Sequence, residues 1–140
     1  MRNKKVLAHF EPKLSRLIDA NLNRLKEGIR VIEDIYRYIY DDKSISSKLK
    51  YLRHLCNLPF YEKLIEQRDI KEDVLKQTIK SEEKREDIKA LIIANFKRAQ
   101  ESSRVLEESL KLIDTESAEK FKKIRYDLYD IEKEALSKIK

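Results

Sequence analysis

Glycine is nearly absent from this chain of 140 residues: there is one, with two prolines, a single cysteine and no tryptophan. One glycine cannot line a phosphate cradle of the GxxxxGK[ST] type, nor supply the tight turns of a loop-rich β protein. Cys56, alone, excludes an intramolecular disulfide and leaves no cysteine pair for zinc. No apolar run reaches the length of a membrane span, and the segment Met1-Arg2-Asn3-Lys4-Lys5 lacks the apolar stretch of a signal peptide, so the expected compartment is the cytoplasm.

Charge is abundant. Asp, Glu, Lys and Arg make up 41% of the residues, a balance typical of long amphipathic helices, and the length suits one domain with a sizeable core. The net charge of +6 favours a negatively charged partner. The basic residues alternate with acids, and nothing resembles an RNP, zinc-finger or Arg-rich signature, so a phosphorylated small molecule is expected, with neither nucleic acid nor a membrane as partner.

The chain also says nearly the same thing twice. Ala20-Asn21-Leu22-Asn23-Arg24-Leu25-Lys26-Glu27-Gly28-Ile29-Arg30-Val31-Ile32-Glu33 returns as Ala94-Asn95-Phe96-Lys97-Arg98-Ala99-Gln100-Glu101-Ser102-Ser103-Arg104-Val105-Leu106-Glu107. Shared apolar positions need only a shared core, but polar residues recurring at one spacing ask for a further reason. A second match joins Lys48-Leu49-Lys50-Tyr51-Leu52-Arg53 to Lys120-Phe121-Lys122-Lys123-Ile124-Arg125.

These matches predict an all-α protein, a pseudo-two-fold bundle of four main helices in one domain over residues 1–140, built by internal duplication of a long helix followed by a shorter one. The first half covers about 11–66, an aperiodic linker about 67–80, and the second half about 81–140. Pro12 opens the first helix, which runs to about Tyr40, and a second spans Ser44 to Leu55. A short one follows Pro59. Ser81 is the expected N-cap of the repeated long helix, which ends near Ile113, and Asp114-Thr115 begins the last.

On heptads, Ile18, Leu25, Ile32 and Ile39 form one seam row, with Leu14, Asn21, Gly28 and Ile35 in the other. The repeat places Ile92, Ala99, Leu106 and Ile113 in the first row and Ile88, Asn95, Ser102 and Ser109 in the second. An amide and a small residue thus replace apolar side chains at matching core-facing sites. A buried amide without partners costs on the order of 1–3 kcal/mol, so Asn21 and Asn95 need partners in each other, backbone, water or a ligand. Arg24 and Arg98 lie beside this polar gap, one turn from Glu27 and Glu101. Each Arg-Glu pair reads either as a solvated ion pair or as a guanidinium fork for phosphate beside a carboxylate that orients it or binds Mg²⁺. For Arg30, Glu33, Arg104 and Glu107 an ion-pair reading, on the surface or between helices, has at least equal weight.

The string Asp19-Ala20-Asn21-Leu22-Asn23-Arg24 with Glu27-Gly28-Ile29-Arg30-Val31-Ile32-Glu33-Asp34 resembles the small helical domain fused ahead of thiamin phosphate synthase in many bacteria and also found alone. Further matches are Lys50-Tyr51-Leu52-Arg53-His54, Arg68-Asp69, Asp73-Val74, and the segments around Asn95 and Arg104-Val105-Leu106-Glu107-Glu108, so the resemblance covers about residues 14–113. It implies a hydroxymethylpyrimidine phosphate kinase, which moves a phosphoryl group from ATP to 4-amino-5-hydroxymethyl-2-methylpyrimidine phosphate and does not act on the bare alcohol. It further implies a standalone form whose diphosphate product passes to a separate thiamin phosphate synthase. Glu72, Leu75 and Lys76 stand where the resembled pattern has glycines, which excludes a linker that needs positive φ there.

For such a reaction the expected catalytic residues are Arg24, Arg98 and Asp73. Asn21, Asn95, Arg53, Arg68, Arg30 and Arg104 are expected to bind substrate and its phosphates, and Glu27 and Glu101 to hold Mg²⁺. The acceptor phosphate oxygen is already ionised near neutral pH, so positioning matters more than a general base. His54 and the tyrosines 36, 38 and 40 read first as structural. The rival from another class is a non-enzymatic helical dimerisation module whose seam uses the two Asn for register; a homodimer fits either reading.

Overall fold

In the computed structural model, which describes residues 12–78 and 84–139, the chain is all-α. Helix α1 spans Pro12–Asp34 and continues into a π-helical turn, Ile35–Ile39. Helix α2 spans Lys43–Leu55, α3 Tyr61–Glu66, α4 Ile88–Leu110 and α5 Thr115–Ser137. The four main helices and the short one after Pro59 lie where the periodicity places them, and residues 67–78 contain no helix.

The caps explain the boundaries. The carboxylates of Asp42, Asp87 and Asp114 accept from the backbone N–H of Ile45, Ala90 and Ser117, satisfying orphan donors at the starts of α2, α4 and α5. Helix α4 therefore starts at Ile88, later than a cap at Ser81 implies; Ser81 itself lies outside the described residues.

Helix α1 packs most extensively on α4, α4 on α5, and α1 on α2. The apolar core is one continuous cluster to which all five helices contribute, with Ile18, Leu25, Ile32, Ile92, Ala99 and Leu106 fully enclosed, as the first heptad row requires. The row fails at its end: Ile39 is 53% exposed. The π turn inserts one residue and rotates the end of the helix, so Tyr36 enters the core and its hydroxyl donates to the Ala135 carbonyl at 2.8 Å, tying α1 to the end of α5. Tyr38 and Tyr40 remain exposed. Ile88, at the first turn of α4, is likewise outside the core.

At Gly28, α1 lies in close contact with α4. A Cβ there would lie 3.2 Å from the Asn95 carbonyl oxygen and 3.5 Å from the Ala99 Cβ. The missing side chain lets the two backbones touch.

Candidate functional site

The α1–α4 contact places the repeated residues. On α1, Asn21 is buried and its amide nitrogen donates to the Leu17 carbonyl; on α4, Asn95 does the same to Leu91, each at 2.9 Å. Both amides are thus satisfied by their own helix through the nitrogen, which leaves the amide oxygen outside that bond.

Beside Asn21 the two helices enclose a concavity of about 440 Å³ lined by Asn21, Arg24, Arg98, Glu101, Ser102 and Val105. Arg24 and Arg98, one from each long helix, make no ion pair with any described residue, and neither reaches the Glu three positions on in its own helix. Two guanidinium groups that make no ion pair thus border one small space together with the carboxylate-bearing Glu101, and their donors are open to an anionic ligand. Ser102 turns its hydroxyl back to the Arg98 carbonyl at 2.7 Å, leaving room at the wall.

A second concavity of about 410 Å³ adjoins the first and shares Asn21 and Arg24 with it; Arg68 and Asp73 from the linker are among its walls. Arg68 is held by Asp19, a buried carboxylate of α1, through a bidentate pair with both contacts at 2.8 Å. The bonds to Asp19, and then to Tyr61, raise the Arg68 pKa and fix its charge. Arg16 donates to the Asp69 carbonyl at 3.5 Å. The linker turns without glycine: Asp69 accepts from the N–H of Lys71 and Glu72, and Asp73 from that of Leu75. Among the described residues only Asp41, well outside the linker, has positive φ.

Of the expected site residues, Asn21, Arg24, Arg98, Glu101, Arg68 and Asp73 therefore converge on one trough. The others are placed elsewhere. Arg53 forms a bidentate pair with the buried Glu33 at 2.6 and 3.2 Å, a pairing that raises its pKa and occupies the fork it would offer a phosphate. The matching contact recurs at Arg125 and Glu107 at 2.7 Å, both buried, with the Tyr129 hydroxyl also bound to Arg125. Glu33 and Glu107 thus serve as inter-helix ion pairs, one of the readings the sequence left open. Arg30 pairs with Asp34 at 3.4 Å, and Arg104 lies 3.6 Å from Glu108, each on the exposed side of its helix. Asn95 backs onto the close contact at Gly28, and Glu27 lines neither concavity.

Sequence reasoning did not single out Asp19, Arg16, Leu17 or Ile70 as part of the trough. Asp19 carried a signal, an acid flanked by Ile18 and Asn21 on the inward face of a helix; Leu17 and Ile70 carried none.

The described residues contain no group of three or more His, Cys, Asp or Glu able to hold a metal ion alone. Mg²⁺ usually takes one or two carboxylates together with substrate phosphates, so Glu101, facing the same space as Arg24 and Arg98, fits that ion in the company of a bound phosphate. No helix among the described residues is long and apolar enough to cross a membrane. Cys56 is buried, and burial pushes its thiol up to about 12, which excludes it as a nucleophile near neutral pH.

Fold and site together define a small all-helical protein with two adjoining concavities, one of them bordered by a guanidinium group from each long helix. A profile of the ThiD2 family matches residues 16–134, and the chain belongs to that family. It is similar to proteins named thiamine-phosphate synthase. The one from Thermosynechococcus vestitus is 39% identical over 121 residues, which cover 86% of this chain and 34% of the relative. A Nostoc relative is 38% identical over 118 residues (84% and 34%), and one from Rhodopirellula baltica 38% over 120 (81% and 32%). The chain spans about a third of the length of these relatives. No solved structure matches it.

Proposed function

We propose that this chain acts in thiamin biosynthesis as a kinase, transferring a phosphoryl group from ATP to 4-amino-5-hydroxymethyl-2-methylpyrimidine phosphate and releasing the diphosphate. One observation carries the reading: Arg24 and Arg98, the repeated arginines, border a single concavity and make no ion pair, while the other arginines of the repeated motifs, 30, 53, 104 and 125, are ion-paired. Family membership and the names of the relatives support the pathway.

In this reading Arg24 and Arg98 clamp the phosphates of donor and acceptor and stabilise charge on the transferring group. Asn21 orients the ligand through its amide oxygen, its nitrogen being held by Leu17. Mg²⁺, when bound at Glu101, supplies further charge neutralisation. The attacking phosphate oxygen is ionised near neutral pH, so the residues position rather than deprotonate it. Asp73 at the far wall aligns the acceptor. The product would then pass to a thiamin phosphate synthase.

The same clamp accounts for the expected rejection of the bare alcohol, since a site with two guanidinium groups outside any ion pair loses its main interaction when the phosphate is missing. The test is turnover of the pyrimidine phosphate beside the unphosphorylated alcohol, with ATP and Mg²⁺, products resolved by anion-exchange chromatography. Diphosphate from the phosphate alone is expected; equal turnover of the alcohol, or none of either by folded protein, would sink the reading.

A further inference from the structure

The linker after α3 has a fixed place without a core of its own. Every described residue from Ile70 to Thr78 is exposed, and Val74 and Leu75, at 93% and 86%, remain almost wholly in solvent. Helix α3, just before it, is held differently, by the fully enclosed Leu64. Within the linker the Asp69 carboxylate accepts from the N–H of Lys71 and Glu72, Asp73 from that of Leu75, and the Lys71 carbonyl from the Lys76 ammonium. Bonds of this kind shape a turn but do not set where it lies on the molecule. Even so, Arg68, Asp69, Ile70 and Asp73 form a wall of the second concavity.

Arg68 supplies the missing anchor. Its Nε and Nη2 donate to the two carboxylate oxygens of Asp19, each at 2.8 Å, and Asp19 is only 3% exposed on the inward face of α1. One turn earlier Arg16 donates to the Asp69 carbonyl at 3.5 Å, and one turn later the Asn23 amide donates to Asp19 at 3.4 Å. Where stability alone is at stake, an apolar pair serves as well as a buried ion pair or better; the best-attested use of the ion pair is to fix a register. Nor is Arg68 required as a charge, because Lys13, Arg16 and Arg24 of α1 line the same space. A planar two-bond fork at the head of a coreless segment instead sets the direction in which that segment leaves α3.

We propose that Asp19 is a positioning residue: through Arg68 it latches the linker against α1, so that Asp73 stays at the wall of the space that Arg24 shares. Arg68 is then part of the latch, and its fork is not offered to a phosphate. The role in turnover rests on the functional reading above, whereas the latch itself does not, and the experiment separates the two.

Trypsin is applied to the native protein without ligand, and cleavage after Lys71 and Lys76 is followed by mass spectrometry. The variants are Asp19→Asn, the double change Asp19→Leu with Arg68→Leu, Arg68→Lys, and Lys48→Met, which breaks the ion pair between α2 and α5 as a control. The double change removes both charges, so it should fold even if a single change strands a charge and does not; circular dichroism checks each protein. Cleavage should be faster by about tenfold in both Asp19 variants and unchanged in Lys48→Met. In the turnover assay kcat/KM should fall by about tenfold or more in both, with Arg68→Lys, which keeps the charge but not the two-bond fork, in between. Cleavage at the wild-type rate in the Asp19 variants overturns the latch, and faster cleavage with unchanged kcat/KM overturns the positioning role. An equal loss of pyrophosphate binding, measured calorimetrically, would mean that α1 itself is distorted and also overturns it. Latch-dependent cleavage in a protein that forms no diphosphate would remove the kinase and leave the latch standing.

Discussion

At the scale of single residues, arginines from one repeated pattern have two fates. Arg125 is buried against Glu107, whereas Arg98 borders the concavity without a partner. Removing one member of a buried pair strands the other charge, so Arg125→Leu should lower the unfolding free energy in urea by about 3–5 kcal/mol. Arg98→Ala should stay within about 0.5 kcal/mol of wild type. Sequence displayed both arginines but could not separate them, because the partners of Glu33 and Glu107 stand on another helix, at Arg53 and Arg125. Two other buried groups set the alkaline limit. Burial raises the Cys56 thiol from 9.0 to about 12, and burial, Tyr40 and Asp42 raise the Tyr36 hydroxyl from 10.0 to about 12. The unfolded chain releases these protons first, so the stability they provide is whole below about pH 9 and is lost progressively up to about pH 12. Each group costs up to about 1.4 kcal/mol per pH unit within its window. Urea midpoints should therefore fall steeply above pH 9, less so in Cys56→Ala; a profile flat from pH 8 to 11 would refute the assignment.

At the scale of elements, the helices are written plainly in the apolar spacing, and the caps Asp42 and Asp114 stand where α2 and α5 begin. The π turn at Ile35–Ile39 was not legible, since strict heptads keep Ile39 inside and no local residue signals an inserted position. Helix α4 starts where Asp87 caps it, and the cap expected at Ser81 lies outside the described residues. Gly28 is the element-scale hinge of the site, because the approach it permits brings Arg24 and Arg98 to one space. Gly28→Val should cost about 1–3 kcal/mol through contact with the Asn95 carbonyl, a backbone group of the facing helix, and it should spread the two helices. Thermal unfolding measures the first effect and weakened pyrophosphate binding the second.

At the scale of the molecule, the two long helices α1 and α4 and the described part of the linker border one trough. Asn21 borders both concavities and Asn95 borders neither; Arg68 and Asp73 of the linker stand on the Asn21 flank. The similarity of the two strings at Asn21 and Asn95 does not show this difference, because it depends on what packs beside each residue. Glu101 lines the space between the arginines and Glu27 does not. Phosphoryl transfer is proposed to take place between Arg24 and Arg98. The measurement that tests it most directly is the rate of diphosphate formation by Arg24→Ala and Arg98→Ala beside Arg104→Ala, each confirmed to keep the wild-type melting temperature. The first two should lose on the order of a hundredfold or more in kcat/KM while the third, ion-paired on the outer face, stays near wild type; equal rates in all three would contradict the account.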